Sequence, residues 1–282
     1  MRAAARRSLG SPIPGCTVLF RGGASRGTVI GMDTKIAVIT GANRGLGRAT
    51  ALALAARGVD VITTYRANAE EAAGTVAAVE ALGRRAAALR LDTTDTATFA
   101  AFAGEVGATL GSWGRDTFEV LVNNAGSAQA APFAELTEAQ FDEMFGVHVK
   151  GPYFLTQTLL PLLADGGSIV NLSTGLTRFS SEGYSAYGAA KGAIDVLTHY
   201  QALELGPRRI AVNAIAPGPV GTDFGGGHMR DDPALREVLA SSAAMGRVGE
   251  PEDIGAAIAG LVTATGGWIT GQRIEVSGGM RM

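Results

Sequence analysis

What most constrains this chain is a regular alternation that begins at Lys35. Short runs that are apolar at consecutive positions, such as "IAVIT", "VDVIT" and "EVLVN", are separated by longer alanine-rich or amphipathic segments. A strand with one wet face alternates apolar and polar residues, whereas a strand covered on both sides does not. These runs therefore read as strands of a parallel sheet buried on both faces. Strands are expected at 35–40, 59–64, 86–91, 118–122, 168–172, 210–215 and 273–276, and helices at 45–57, 69–82, 96–109, 137–163, 185–205 and 251–264. Strand and helix in strict alternation specify an α/β fold built on a doubly wound parallel sheet. Composition does not break after residue 33, and there is no repeat of solenoid type, so residues 33–282 are read as one domain.

The stretch before Met32 differs. Its 31 residues hold five arginines and no acidic residue, with no strand or helix period. A targeting peptide has such a composition, but the reading taken for 1–32 is a disordered extension or the product of an upstream start. Elsewhere the formal net charge of −2 implies no basic face for nucleic acid, and no apolar run is long enough to span a membrane. A single cysteine, Cys16, forbids an internal disulfide and fits a reducing, cytoplasmic compartment.

In an open parallel sheet, ligands bind beyond the carboxyl ends of the strands. The first strand runs into "TGANRGLG", with Gly41, Gly45 and Gly47 spaced G-x-x-x-G-x-G. Glycines there permit a tight turn, and they also let a phosphate reach backbone N–H groups at a helix start. Either reading suits the motif alone; its place between strand and helix favours the second. Asn43, Arg44 and Leu46 lie inside the same turn. Asp92 and Thr93 close the third strand, where the aspartate either accepts a bond from an adenine amino group or serves as a turn residue. Asn123, Asn124, Ala125 and Gly126 close the fourth, Ser173 and Thr174 the fifth, and Pro217, Gly218, Val220 and Thr222 follow the sixth.

"YGAAK" sets Tyr187 and Lys191 four residues apart, on one face of a helix. An ammonium beside a phenol favours the phenolate, which makes the tyrosine a usable proton donor and acceptor. Taken alone the pair is a frequent accident on helix surfaces.

In this order and spacing, "TGANRGLG", "NNAG", "NLST", "YGAAK", "NAIAPGPVGTD" and "ITGQRIEVSGG" resemble the short-chain dehydrogenase/reductase family over nearly the whole chain after Lys35, with 3-oxoacyl thioester reductases among its possible kin. The resemblance implies a Rossmann fold of about seven strands and hydride transfer between a nicotinamide and a carbonyl or secondary alcohol carbon. It implies Tyr187 as general acid in reduction and base in oxidation, and Lys191 as holder of the nicotinamide ribose. It also implies a hydroxyl from Thr174, or alternatively Ser173, on the substrate oxygen. Pro217, Gly218, Val220 and Thr222 match the segment that grips the carboxamide. Where many members carry a relay asparagine, this chain has His148, which can keep the relay and add a pH dependence near neutrality.

The second strand ends in Thr64, Tyr65 and Arg66; Asp60 is at its wrong end for a ribose contact. Arg66 and Arg44 suit a 2′-phosphate, so the expected cofactor is NADP(H). Tyr184 is expected to line the substrate pocket, and 223–246 to form a flexible lid lined by Met229, Leu235 and Leu239. The substrate is expected to be a small or medium ketone or alcohol without strong charge. The resemblance implies a dimer or tetramer packed through 137–163 and 185–205. His199 and His228 have no neighbours that suggest a metal. The reading set against an enzyme is a non-catalytic NADP(H)-binding sensor or scaffold.

Overall fold

Among the described residues, seven parallel strands form one sheet in the order β3-β2-β1-β4-β5-β6-β7. They are β1 Ile36–Ile39, β2 Asp60–Tyr65, β3 Ala86–Arg90, β4 Phe118–Asn123, β5 Leu163–Leu172, β6 Ala211–Pro217 and β7 Arg273–Val276. The computed structural model describes residues 34–264 and 267–282. The expected extension over 1–32, with Cys16, lies outside the described residues. β1 pairs in parallel with β2 on one side and β4 on the other. The chain order therefore reverses between β1 and β4, and a crevice opens there at the carboxyl ends.

The helices are α1 Gly45–Ala55, α2 Ala69–Glu80, α3 Phe99–Ser112, α4 Glu138–Phe145, α5 Gly151–Leu159, α6 Ser185–Leu205, α7 His228–Asp231, α8 Pro233–Ser241 and α9 Pro251–Ala264. They cover both faces of the sheet, which is why the strands lack a polar face. One core layer joins Ala37, Ile39 and Val61 to Leu54, Ile254 and Ile258. The opposite layer joins Ile36, Val38 and Ile62 to Phe99, Phe102, Leu155 and Ile169. Helix α9 packs against α1 so closely that a Cβ on Gly255 would lie 2.6 Å from the Ala49 carbonyl oxygen.

The single helix expected over 137–163 is corrected. After α4 the chain widens into a π-helical turn over Gly146–Lys150, continues as α5, and ends in a 3₁₀ turn at Leu160–Leu162. Glycine lets the start of α5 lie close against the loop after β3, because a Cβ on Gly151 would lie 2.3 Å from the Thr93 carbonyl oxygen. The strand expected at 168 begins at Leu163 and shifts register before Ser168. π turns of this kind gather at functional sites, and this one carries His148.

Candidate active site

At the head of the crevice, Gly41 has φ +63° and Gly45 φ +54°. A Cβ on Gly41 would lie 3.0 Å from Ala125 Cα, so only a bare backbone fits there. Helix α1 begins at Gly45 with no side-chain cap and no acidic residue in its first turn. Its first N–H groups thus remain free for an anion, and the dipole favours one. The turn and the loop after β4 are tied through one hydroxyl. Thr40 Oγ1 accepts bonds from the backbone N–H groups of Asn124 and Ala125, both at 2.9 Å, while Asn124 Nδ2 donates to the carbonyls of Thr40 and Gly41 at 2.7 and 3.0 Å.

From this turn a cavity of about 670 Å³ runs across the sheet edge. Asn43, Arg44, Leu46, Arg66, Asp92, Thr93, Ala125 and Gly126 line it on the β1 side, with Pro217, Gly218, Val220 and Thr222 beyond β6. Arg66 makes no ion pair among the described residues, whereas Arg44 lies 3.7 Å from Asp223. Asp92 Oδ1 accepts from the Thr94 backbone N–H and hydroxyl at 2.9 and 2.7 Å, which is a turn aspartate's geometry. Burial pushes its carboxyl up, but the Thr94 bonds and the charges of Arg66 and Arg90 outweigh that and hold it below the usual range. Asp60 is fully buried and bonded by Arg84 and Arg85, remote in purpose from any ribose.

Two expected contacts are corrected. Asn123 does not face the cavity: its Nδ2 donates to Thr156 Oγ1 at 3.0 Å and Asn171 Oδ1 at 2.9 Å, which joins β4 to α5 and β5 inside the core. Gly47 does not line it either. A Cβ there would lie 2.5 Å from the Gly41 carbonyl oxygen and 2.6 Å from Asn124 Nδ2, so this glycine lets α1 pack on its own turn.

Midway along the cavity stand Tyr187, Lys191, Thr174, Ser173 and His148, all buried. Tyr187 and Lys191 project from α6, with the Lys191 Nζ 5.8 Å from the phenol ring centroid. Burial pushes the Tyr187 phenol up to about 12, opposed by a hydrogen bond with Thr174 and reinforced by Tyr184. This corrects the expected lowering by Lys191, and the reason is on the lysine itself. Burial pulls Lys191 down to about 7, opposed by the charge of Asp195, so near neutrality its charge is only partial. Its Nζ donates to the Leu172 carbonyl at 2.6 Å.

Thr174 ends the β5 edge and caps a short 3₁₀ turn, accepting from the Leu176 N–H at 3.3 Å. The Ser173 hydroxyl is buried with no hydrogen-bond partner. His148 sits in the π turn with Nε2 2.6 Å from the Ser127 carbonyl oxygen and its ring edge-on to Tyr187 at 5.2 Å. Burial and the Lys191 charge hold the imidazole well below its usual range, against the Ser127 bond. It is therefore neutral at pH 7, with Nε2–H donating to Ser127 and Nδ1 left without a partner. The pH dependence near neutrality expected of His148 is corrected accordingly, because burial moves its titration to lower pH.

Residues 41–281 match a sequence profile described as Enoyl-(Acyl carrier protein) reductase. A short-chain dehydrogenase/reductase of Pestalotiopsis microspora is 31% identical over 258 residues, spanning 88% of this chain and 96% of that protein. This chain belongs to the short-chain dehydrogenase/reductase family. Among solved structures, the promiscuous reductase LugOII, which catalyses keto-reduction at C1 during lugdunomycin biosynthesis, superposes with a TM-score of 0.83 at 36% identity, over 88% of this chain and 98% of that one. The angucycline C-6 ketoreductase LanV, solved with bound NADP, gives 0.83 at 35% identity, over 88% and 95%.

The reductase cavity also has walls that sequence motifs did not single out. Phe179 and Phe224 line it beside Tyr184, and Phe224 lies 5.9 Å from the Tyr187 ring. Met229, Leu235 and Leu239, expected at the cavity from the sequence, do line it, from a segment folded as α7 and α8. Met280 and Arg281 reach it from the end of the chain. Nothing in the spacing of Phe179, Phe224 and Arg281 announces them, because only the assembled fold brings these three together. No described helix is long and apolar enough to cross a membrane.

Proposed function

We propose that this chain is an NADP(H)-dependent reductase of ketones, with Tyr187 as the proton donor. The observation that carries the reading is the continuity of one cavity. The glycine turn and free α1 N-terminus lie at one end of it, and Tyr187 and Thr174 both line its middle. The residues fit a dinucleotide. Gly41 and Gly45 leave the cradle open for a pyrophosphate, Arg66 and Arg44 suit a 2′-phosphate, and the 217–222 segment borders the nicotinamide end. Bound there, the reduced cofactor supplies a hydride to the carbonyl carbon.

The chain's own groups do the rest. The Tyr187 hydroxyl donates to the substrate oxygen and transfers its proton as charge develops there; the Thr174 hydroxyl is the second donor. A phenol held near 12 is a poor acid in the free protein. Closing a cationic Lys191 beneath it strengthens that acid, and the ribose hydroxyls are what Lys191 would hold. His148 stands at the relay position with Nδ1 open as an acceptor. The rings of Phe179, Tyr184 and Phe224 favour a flat substrate, so the substrate class proposed is a ketone on or beside an aromatic ring system. The reading places the enzyme in the cytoplasm as a dimer or tetramer. Phe154, Val196, Tyr200 and Leu203, exposed on α5 and α6, are apolar surface that such packing would cover.

The test is fluorescence titration with NADPH and NADH, then turnover of bicyclic and tricyclic aryl ketones. NADPH should bind at least about tenfold more tightly, ~1.4 kcal/mol, and Tyr187→Phe should lower turnover by about 10²–10⁴-fold while binding persists. Tight NADPH binding with no turnover of any carbonyl would replace this reading with a sensor or scaffold.

A further inference from the structure

Lys191 and Asp195 lie one turn apart on α6, the spacing at which a lysine and an aspartate ordinarily pair. Here they make no ion pair. Lys191 is taken by the Leu172 carbonyl at 2.6 Å. Asp195 is taken by Arg273, whose Nε lies 3.2 Å from its Oδ2. The same guanidinium reaches the turn that presents Thr174. Its Nε donates to Thr177 Oγ1 at 2.9 Å and its Nη2 to the Thr174 carbonyl at 3.0 Å. Its Nη1 faces Glu275 at 3.3 Å. Glu275 is itself engaged by Arg178, at 2.7 and 2.8 Å. Arg273 therefore stands between the two pieces of the proton-transfer site, the hydroxyl turn after β5 and the helix that carries Tyr187 and Lys191. It arrives from β7, at the far edge of the sheet, and no motif in the sequence includes it in a functional role.

We propose that Arg273 is a positioning residue that fixes the Thr174 turn and, by occupying Asp195, keeps that carboxylate from capturing Lys191. This inference rests on the reading of Tyr187, Thr174 and Lys191 as the reacting set. A planar fork of five N–H donors can serve Thr174, Thr177, Asp195 and Glu275 at once; an ammonium cannot. The groups facing Lys191 are Tyr187 and Asp195 on its own helix, His148 from the π turn and the Leu172 carbonyl from β5. Of these only Asp195 is a carboxylic acid side chain. Its Oδ1 is buried with no partner among the described residues, so once Arg273 is removed Lys191, one turn away on α6 and coupled to it by charge, is left to compensate that carboxylate. A captured Lys191 would be more firmly cationic but drawn away from β5 and the ribose side of the cavity.

The chain contains three lysines, Lys35, Lys150 and Lys191, so [ε-¹³C]lysine labelling gives three resonances, and Lys191→Met assigns the one of interest. Followed against pH in the free protein, Arg273→Met should move the Lys191 midpoint up and Asp195→Asn should move it down, each by at least about half a pH unit. Arg273→Lys, which keeps the charge but not the fork, should shift it less than Arg273→Met and still lower turnover. A merely structural Arg273 would lower the melting temperature and leave the midpoint in place; that result overturns the proposal, as does a shift of the same sign in both variants. If Arg273→Met does not fold, Asp195→Asn decides alone, and an unchanged or raised midpoint is fatal. The measurement uses neither cofactor nor ketone. A protein inactive on every carbonyl would therefore sink the reductase reading without touching this titration.

Discussion

The two ends of the cavity recognise by different means. At the β1 side the surface is mostly backbone: positive-φ glycines, free N–H groups at the start of α1 and a threonine hydroxyl that staples two loops. At the β5 to β7 side it is made of side chains from distant parts of the chain, with Tyr187, Thr174, Phe179, Phe224 and Arg281 meeting only in the folded state. A backbone surface tolerates no added atoms but is indifferent to charge tuning. A side-chain surface can be retuned one group at a time, and its protonation states depend on burial. The first end is suited to a ligand that never changes, the second to one that does.

The contrast can be broken most severely at Tyr187. Tyr187→Phe should lower kcat by about 10²–10⁴-fold, the usual worth of a general acid, while the NADPH dissociation constant, read by fluorescence, stays within about threefold. An equal loss in both would mean that the two ends are not separable. At the glycine end, Gly47→Ala should cost about 1–3 kcal/mol of stability by overpacking, seen in urea unfolding, because its Cβ has backbone on two sides. Gly58→Ala is not the matching control, since Gly58 has φ +83°. Gly104→Ala is, with ordinary helical backbone and nothing near the added carbon. It should be neutral or slightly stabilising.

A finer test is Arg66→Gln. It should weaken NADPH binding by about tenfold, ~1.4 kcal/mol, and leave NADH nearly unchanged. Equal losses would show that the β1 end does not read the 2′ position. A last effect, on stability rather than on binding, comes from Lys191. Its native pKa of about 7 lies below the unfolded value of 10.5. The unfolded chain therefore binds more protons between these values, and stability should rise with pH across that window. Tyr187, raised to about 12 from 10.0, acts oppositely only above pH 10. Melting curves of the free protein from pH 7 to 9.5 should show a gain of a few degrees, and Lys191→Met should flatten it.

The same division explains what could be read from the sequence. The strands and the glycine turn are local: apolar runs, turn residues and a helix start lie within a dozen positions of one another, and they are found where the residues imply. The Tyr187–Lys191 pair is also local, since helical spacing alone puts both on one face. Gly47 and Asn123 show the limit. Each sits inside a cofactor-like motif, yet one spaces a helix from its turn and the other bonds Thr156 and Asn171 in the core. Motif membership cannot tell a residue that touches a ligand from one that supports the residue that does. The pKa values were equally out of reach. Lys191 and Tyr187 are adjacent in any helix, but the depth of α6 against β5 makes desolvation outweigh their mutual attraction. The break in the helix at 146–150 was hidden because Gly146 and Gly151 interrupt a segment that is otherwise helical in pattern.

That break has a consequence for how the protein can vary. A Cβ on Gly126 would lie 2.6 Å from His148 Cε1 and 3.2 Å from its Nδ1. The imidazole thus occupies the volume that any larger residue at 126 would need, and the loop after β4 can bear a side chain there only if the π turn gives one up. Positions 126 and 148 share one volume: Gly126→Ala requires His148 to shift or to be made smaller, and a smaller residue at 148 frees space for a side chain in the loop after β4.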